Sequence, residues 1–471
     1  MHAARLWSVR HARGLSRAYG LFARLAPRLA PLARLLGRAG AEAAVRPIER
    51  AAKQFLFDCR MCGDCVLSAT GMACPMNCAK QLRNGPCGGV RPDGGCEVIP
   101  QMRCVWLEAE EGRKRIAPLA VSADIAIPPL DHRRSGRSSW VPVIFPEAAP
   151  SAAPRTDPGI AHPREAFERA CADRFVVTVE LAPPDSAAPA GFLARAARFR
   201  GLVDAINVTD GAGGNCHMSS VAASALLAAH GDIPIYQVAC RDRNRIAIQG
   251  DLLGAAALGV QNILCLTGDD VSQGDQPEAK PVFDLDAVTL LGIARRMREQ
   301  GAFASGRKLE AAPNLFLGAT ANPFAPPFHE RVANLERKVD AGARFIQTQF
   351  CFDLERMAAF MREARARGLH QRCTIIAGVG TLGSAAALRR MAQRVPGVHV
   401  PEAVLQRIGQ AADQRAEGKR VAIETIQALA RIEGVGGVHL MGYRNETVLA
   451  EIIAESGLRG RVQAPAAGTT G

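Results

Sequence analysis

The feature that most restricts this chain is a recurrence between residues 161 and 460. Eight short β-branched or apolar runs appear there, each followed by an Ala/Leu/Arg segment with helical spacing. The runs occupy 175–181, 203–209, 233–240, 261–267, 314–321, 343–350, 373–377 and 437–442. Their starts lie 28, 30, 28, 53, 29, 30 and 64 residues apart, so most intervals hold one strand and one helix, and the two long ones leave room for an extra turn or helix. Near-continuous hydrophobic strands alternating with helices imply parallel strands covered on both faces, and eight of them imply a (β/α)₈ TIM barrel. A doubly wound sheet is the alternative.

Such a barrel carries its chemistry at the C-terminal ends of its strands. Those ends are polar here: Thr178-Val179-Glu180-Leu181-Ala182-Pro183-Pro184, Asn207-Val208-Thr209-Asp210, Cys240-Arg241-Asp242, Leu266-Thr267-Gly268-Asp269-Asp270, Thr320-Ala321-Asn322-Pro323 and Gln347-Thr348-Gln349. Glu180 and Asp269 would converge on one mouth from opposite parts of the barrel. One acid can then donate a proton while the other stays ionised to steady a cation. Singly, Glu180 could serve a salt bridge and Asp269 a helix N-cap; together they point to a shared active site. The segment Gly378-Val379-Gly380-Thr381-Leu382-Gly383 fits the G-x-G-x-x-G pattern of dinucleotide folds, but it follows the seventh strand rather than opening a βαβ unit. It reads as a phosphate or substrate loop, with a plain tight turn as the alternative.

Eight of the 14 cysteines, Cys59, Cys62, Cys65, Cys74, Cys78, Cys87, Cys96 and Cys104, fall within 46 residues. With no convincing secretory signal, the cluster reads as metal-binding in a reducing compartment, the cytoplasm, rather than as a disulfide framework. Three thiolates at x2 spacing wrap one face of a cluster, and Cys74-Pro75 completes a set of four as in ferredoxins, although its x8 gap is wider than the usual x3. Eight cysteines would hold two [4Fe–4S] clusters. The alternative is two Cys₄ zinc sites, since the glycines of Asn84-Gly85-Pro86-Cys87-Gly88-Gly89 would give tight knuckles. Cysteines grouped by threes favour iron–sulfur, because zinc ribbons pair them by twos.

Net charge is +13, but residues 1–41 hold eight arginines and no acid, leaving +5 for the other 430 residues. With seven lysines against 51 arginines, the skew points to coding bias rather than a phosphate-binding surface, and nucleic acid is excluded as a partner. No apolar run reaches 18 residues, so no spanning helix is expected. Residues 1–50 form a basic arm with an apolar stripe interrupted by Pro27 and Pro31; a packed helical arm is favoured over a membrane-surface or targeting segment. Residues 51–116 are the cysteine module, 117–160 a Pro/Ala/Ser/Arg-rich linker, 161–460 the barrel and 461–471 a flexible tail.

The barrel resembles the 5,10-methylenetetrahydrofolate reductase family over roughly residues 165–460. The resemblance rests on Val179-Glu180-Leu181-Ala182-Pro183-Pro184, Leu266-Thr267-Gly268-Asp269, Glu336-Arg337-Lys338-Val339-Asp340-Ala341-Gly342-Ala343 and Thr348-Gln349-Phe350-Cys351-Phe352-Asp353, the last two being the most specific. The stretch 57–106, with Cys74-Pro75-Met76-Asn77-Cys78 and Arg83-Asn84-Gly85-Pro86-Cys87-Gly88-Gly89-Val90, is similar to a cysteine-rich partner domain found with some bacterial reductases of this family. There it lies on a separate subunit or at another position; here it is fused ahead of the barrel.

The resemblance implies a flavin, usually FAD, whose N5 passes hydride to the methylene carbon of the folate. It matches Glu180 to the glutamate that protonates the folate and Asp269 to the aspartate that steadies the iminium cation near flavin and pterin. Gln349 matches a folate-binding glutamine. Thr209, Gly268, Asn334, Arg337 and Lys338 fall on flavin-binding positions, and Phe283 and Asp284 on a further contact segment. Thr267, expected at the cofactor, stands where the best-known members carry arginine, and Asn322, expected at the substrate, replaces an aromatic. These departures leave FMN open beside FAD. The electron donor is NAD(P)H or a ferredoxin-type partner, and the fused module also permits the reverse direction, oxidation of methyl-folate supplied by a demethylase. The expected assembly is a homo-oligomer. The rival functions are a non-catalytic or regulatory metalloprotein on a barrel scaffold and a folate-dependent methyltransferase.

Overall fold

The computed structural model describes residues 2–116, 126–145, 162, 164–395, 397–442 and 444–458, which divide into two units. One holds the eight clustered cysteines; the other, Gly159–Gly471 with Gly88–Pro92, holds the strands. The tail 461–471 lies outside the described residues.

In the second unit eight parallel strands close a barrel in chain order: β1 (Val176–Leu181), β2 (Ala205–Val208), β3 (Pro234–Ala239), β4 (Asn262–Leu266), β5 (Phe316–Ala321), β6 (Phe345–Phe350), β7 (Thr374–Gly380) and β8 (Val435–Met441). Closure is made by β8 beside β1, with Val176 opposite Gly437 and Val179 opposite Leu440. This is the (β/α)₈ barrel that the spacing implies. The long interval after β4 holds the helix Ala287–Gln300, and the one after β7 holds three helices, Ala385–Arg394, Glu402–Gln410 and Gln414–Leu429.

Because side chains alternate along a strand, each strand sends every second residue into the barrel. Val177, Val179 and Leu181 belong to the core shared with the helices, whereas Val176 belongs to a separate interior cluster with Ala205, Ile235, Leu264, Phe316, Phe345 and Ile376. The helix Ala166–Asp173 adds Phe167 to that cluster, with its ring centroid 5.4 Å from Phe345 and 5.9 Å from Phe316. The N-terminal floor is thus hydrocarbon. Two residues further along, the same inward rows read Thr178, Asn207, Gln237, Gln347 and His439, all buried, so the interior turns polar toward the strands' C-terminal ends.

The glycine-rich segment differs from its expectation as a loop. Gly378-Val379-Gly380 is the end of β7, and a Cβ on Gly378 would stand 2.5 Å from the Thr348 carbonyl oxygen and 2.6 Å from Met441 Cε. A Cβ on Gly380 would meet the Phe350 ring at 2.8 Å. These glycines let neighbouring strands close on each other, and that packing demand accounts for a pattern that reads as a phosphate loop. Gly378→Ala is expected to cost about 1–3 kcal/mol of stability by overpacking, read as a lower thermal midpoint. An unchanged midpoint would contradict the packing role.

In the first unit the basic segment forms the helices His2–Arg10, Ala12–Leu25, Ala30–Leu35 and Gly37–Phe57. Pro27 falls in a 3₁₀ turn, Ala26–Leu29, and Pro31 at the start of the following helix, where a missing N–H costs least. The arm is anchored: Arg5 is buried in a two-point pair with Glu108 (3.0 and 3.1 Å), and Ala12 packs with Phe57, Cys74 and Met76. The helix Gly37–Phe57 runs straight through residue 50, so the arm and the module are continuous there. Of the stretch expected as a linker, residues 126–145 are described, with helical turns His132–Arg134 and Val141–Ile144; the remainder, 117–125 and 146–160, lies outside the described residues.

Candidate functional site

Glu180 sits one residue short of the end of β1 on the inward row of Val176 and Thr178, at the C-terminal mouth. No salt bridge or hydrogen bond joins it to another described residue, so the alternative of a structural ion pair has no partner there. Burial first, and then the charge of Asp269, push its carboxyl up to about 7. A carboxylic acid that keeps its proton to neutral pH can act as a proton donor.

Asp269 reaches the mouth from the loop after β4. Its Oδ2 accepts from the Gly213 N–H at 2.9 Å, and its side chain is otherwise exposed to water. The N-cap role belongs to its neighbour: Asp270 accepts from the Ser272 N–H at the next helical turn. Gly268 has a φ of +98°, and a Cβ there would press 2.8 Å from Arg241 Cβ, so glycine is needed for the chain to turn Asp269 outward from the strand.

Around these acids stand side chains with unmet polar atoms. Thr209 is buried with its hydroxyl unpartnered, Asn207 has neither amide atom paired, and the Gln347 amide nitrogen is likewise unpaired. Buried polar groups rarely stay unpaired, so three of them on inward positions of β2, its C-terminal extension and β6 point to a polar ligand in the mouth. Thr178 bonds His439 Nδ1 at 2.9 Å, and burial pushes that imidazole down to about 3, so it is neutral. Gln349 is re-aimed by a register shift in β6: the Thr348 hydroxyl fills the ladder by accepting from the Gly378 N–H at 2.9 Å, and Gln349 Oε1 accepts from the Phe350 N–H.

The other positions expected at a cofactor are placed as follows. Lys338 Nζ donates to the Thr320 carbonyl at the end of β5, 2.6 Å away. Asn334 and Arg337 are buried on the same helix, Phe328–Ala341, with Arg337 3.7 Å from Glu330. The Thr267 hydroxyl accepts from the Ala287 N–H at 3.4 Å. Asp284, next to Phe283 with its φ of +42°, is engaged at both oxygens by Arg245 (2.6 and 2.7 Å). Asn322 Nδ2 donates to the carbonyls of Gly88 and Gly397 at 2.8 and 2.9 Å, which leaves its amide occupied with backbone. The sequence shows Thr178, Asn207 and Gln347 among the polar strand ends but assigns them no role, and His439 is not among them. Their signal was present as polar residues at inward spacing of two within apolar strands.

The cysteines fall into two neighbourhoods. Cys59, Cys62 and Cys65 act electrostatically on Cys74, while Cys78 feels Cys96 and Cys104, and Cys87 feels Cys78 and Cys104. Burial pushes the Cys74 thiol up to about 12 and Cys78 to about 11. Such thiols hold their protons at neutral pH, and a metal ligand must lose its proton to bind. The first set lines a small pocket partly open to solvent.

Fold and site together define a (β/α)₈ barrel with an acid pair and unmet polar groups at its mouth. A family model described as methylenetetrahydrofolate reductase matches residues 166–457, and one described as methylene-tetrahydrofolate reductase C terminal matches residues 39–133. The chain belongs to the methylenetetrahydrofolate reductase family. It is 27% identical over 244 residues to a probable methylenetetrahydrofolate reductase (NADPH) of Caenorhabditis elegans, covering 51% of this chain and 34% of that one. It is 24% identical over 233 residues to methylenetetrahydrofolate reductase 1 of Schizosaccharomyces pombe, covering 48% and 36%. The chain thus spans about a third of the length of these curated relatives. Among solved structures, a Clostridium thermocellum protein that binds two copies of 5-methyl-5,6,7,8-tetrahydrofolic acid aligns with a TM-score of 0.44 and 13% identity, over 63% of this chain and 99% of that one.

Proposed function

We propose that the barrel interconverts 5,10-methylenetetrahydrofolate and 5-methyltetrahydrofolate with a bound flavin, FAD or FMN. The observation that carries this reading is Glu180, a carboxyl at the mouth whose proton is held to about pH 7 beside the ionisable Asp269. The unpaired polar atoms of Asn207, Thr209 and Gln347 suit a flavin or pterin ring edge, which offers alternating donors and acceptors. When bound, the flavin supplies the hydride. Glu180 gives its proton to the folate nitrogen as the five-membered ring opens, and takes it back when the reaction runs in reverse. Asp269, held by the Gly213 N–H, keeps a negative charge where the folate becomes cationic. Gln349 is available to orient the pterin, and Lys338 and Asn334 to hold the cofactor. The electron donor is NAD(P)H or a ferredoxin-type protein.

For the module, the reading is two [4Fe–4S] clusters, on Cys59, Cys62, Cys65 and Cys74 and on Cys78, Cys87, Cys96 and Cys104. The alternative is two tetrahedral zinc sites on the same cysteines.

The purified protein should carry a flavin that is released into the filtrate on denaturation, and flavin-depleted protein should bind FAD or FMN again. A preparation that contains no flavin and takes up neither FAD nor FMN would overturn the reductase reading and favour the regulatory metalloprotein.

A further inference from the structure

The pocket formed by the first four cysteines has three cations in its wall, Lys53, Arg83 and Arg137, of which Lys53 and Arg83 are buried. Lys53 is buried, 4% exposed, which is costly for an ammonium unless every N–H is used. Its Nζ donates to Glu49 Oε1 and to Ser139 Oγ, each at 2.7 Å, and it stands in the same pocket wall as Cys65. Glu49 in turn is saturated, accepting from both Ser138 and Ser139 hydroxyls and from the Ser139 and Trp140 N–H groups as well as from Lys53. It therefore fixes the ammonium in place. Arg83 is held by the Asp64 carboxylate at 2.9 Å and the Pro128 carbonyl at 2.8 Å, and its charge acts on Cys62.

Four thiolates around iron and sulfide carry net negative charge, and the potential of such a cluster is set by net charge, hydrogen bonds to sulfur and exposure. We propose that Lys53 is a positioning residue for the group bound by Cys59, Cys62, Cys65 and Cys74, donating an N–H to the Cys65 sulfur and, with Arg83, offsetting the cluster's charge so that it accepts an electron more readily. The proposal rests on the reading of this set as a redox-active iron–sulfur cluster. The cation favours the reduced state because that state carries one more negative charge. Without it, reduction becomes harder and the potential falls.

The test is an EPR-monitored redox titration of the full chain, purified anaerobically, comparing wild type with Lys53→Met, Lys53→Gln and Lys53→Arg, together with iron and acid-labile sulfide per chain. Lys53→Gln keeps an N–H donor and removes the charge, so it serves if Lys53→Met loads poorly. The expected result is unchanged iron and sulfide, a roughly tenfold loss in the reduced-to-oxidised ratio at fixed potential for one cluster, equivalent to about 59 mV for one electron, and no change in the other cluster. Lys53→Arg should keep most of the wild-type potential. Iron-loaded neutral variants with both potentials unmoved would overturn this role alone. A wild-type protein containing zinc and no iron would overturn the cluster reading and this role with it.

Discussion

Glu180→Gln is expected to lower the rate at which the reduced protein reduces 5,10-methylenetetrahydrofolate by about 10²-fold or more, the scale of general-acid catalysis, while reduction of the bound flavin by its donor stays nearly normal. Only the folate step needs a proton at nitrogen. The amide keeps the side chain's size and polarity, so binding should change little and the loss should appear in the rate at saturation. The pH dependence follows from the carboxyl's elevation to about 7 by burial and by Asp269. The acid form donates, so folate reduction should be level below pH 7 and fall about tenfold per unit above it. Methyl-folate oxidation needs the carboxylate and should rise through the same pH. Both limbs should vanish in Glu180→Gln. A variant with a normal folate rate and the wild-type pH profile would return Glu180 to a structural role.

The second large effect concerns the buried thiols. Cys74→Ser leaves the first set with three sulfurs, and iron should fall by about half, since each set of four holds one cluster. The Cys74 thiol, raised to about 12 by burial and by its cysteine neighbours, must lose its proton to bind metal. Loading should therefore weaken as pH falls, and chelation should lower the thermal stability of the cysteine unit, whose core includes Phe57, Leu67, Met72, Cys74 and Met76. Iron content equal to wild type in Cys74→Ser would contradict the assignment of ligands.

The strands were legible because each is covered on both faces and reads as an apolar run. Every strand but β7 lies within two residues of its expected run at either end. β7 was cut short at Ala377, because Gly378 and Gly380 look like turn residues until the crowding by Thr348, Met441 and Phe350 is known. Glu180 was legible as a charge at the end of an apolar run. Asn207 and Gln347 were not, since a single amide in a strand carries no sign of whether it finds a partner; that depends on the neighbours the closed barrel brings to it. The arm's anchoring was legible only as an apolar stripe, because the pairing of Arg5 with Glu108 joins residues 103 apart.

The most direct test of the central claim is a single-turnover experiment without any external donor. The flavin-loaded protein is photoreduced anaerobically and mixed with 5,10-methylenetetrahydrofolate in a stopped-flow instrument, and the quenched products are separated. The account predicts reoxidation of the flavin with formation of at least one 5-methyltetrahydrofolate per flavin, slowed in Glu180→Gln. A flavin that stays reduced in the presence of the folate, with no methyl product, would contradict it.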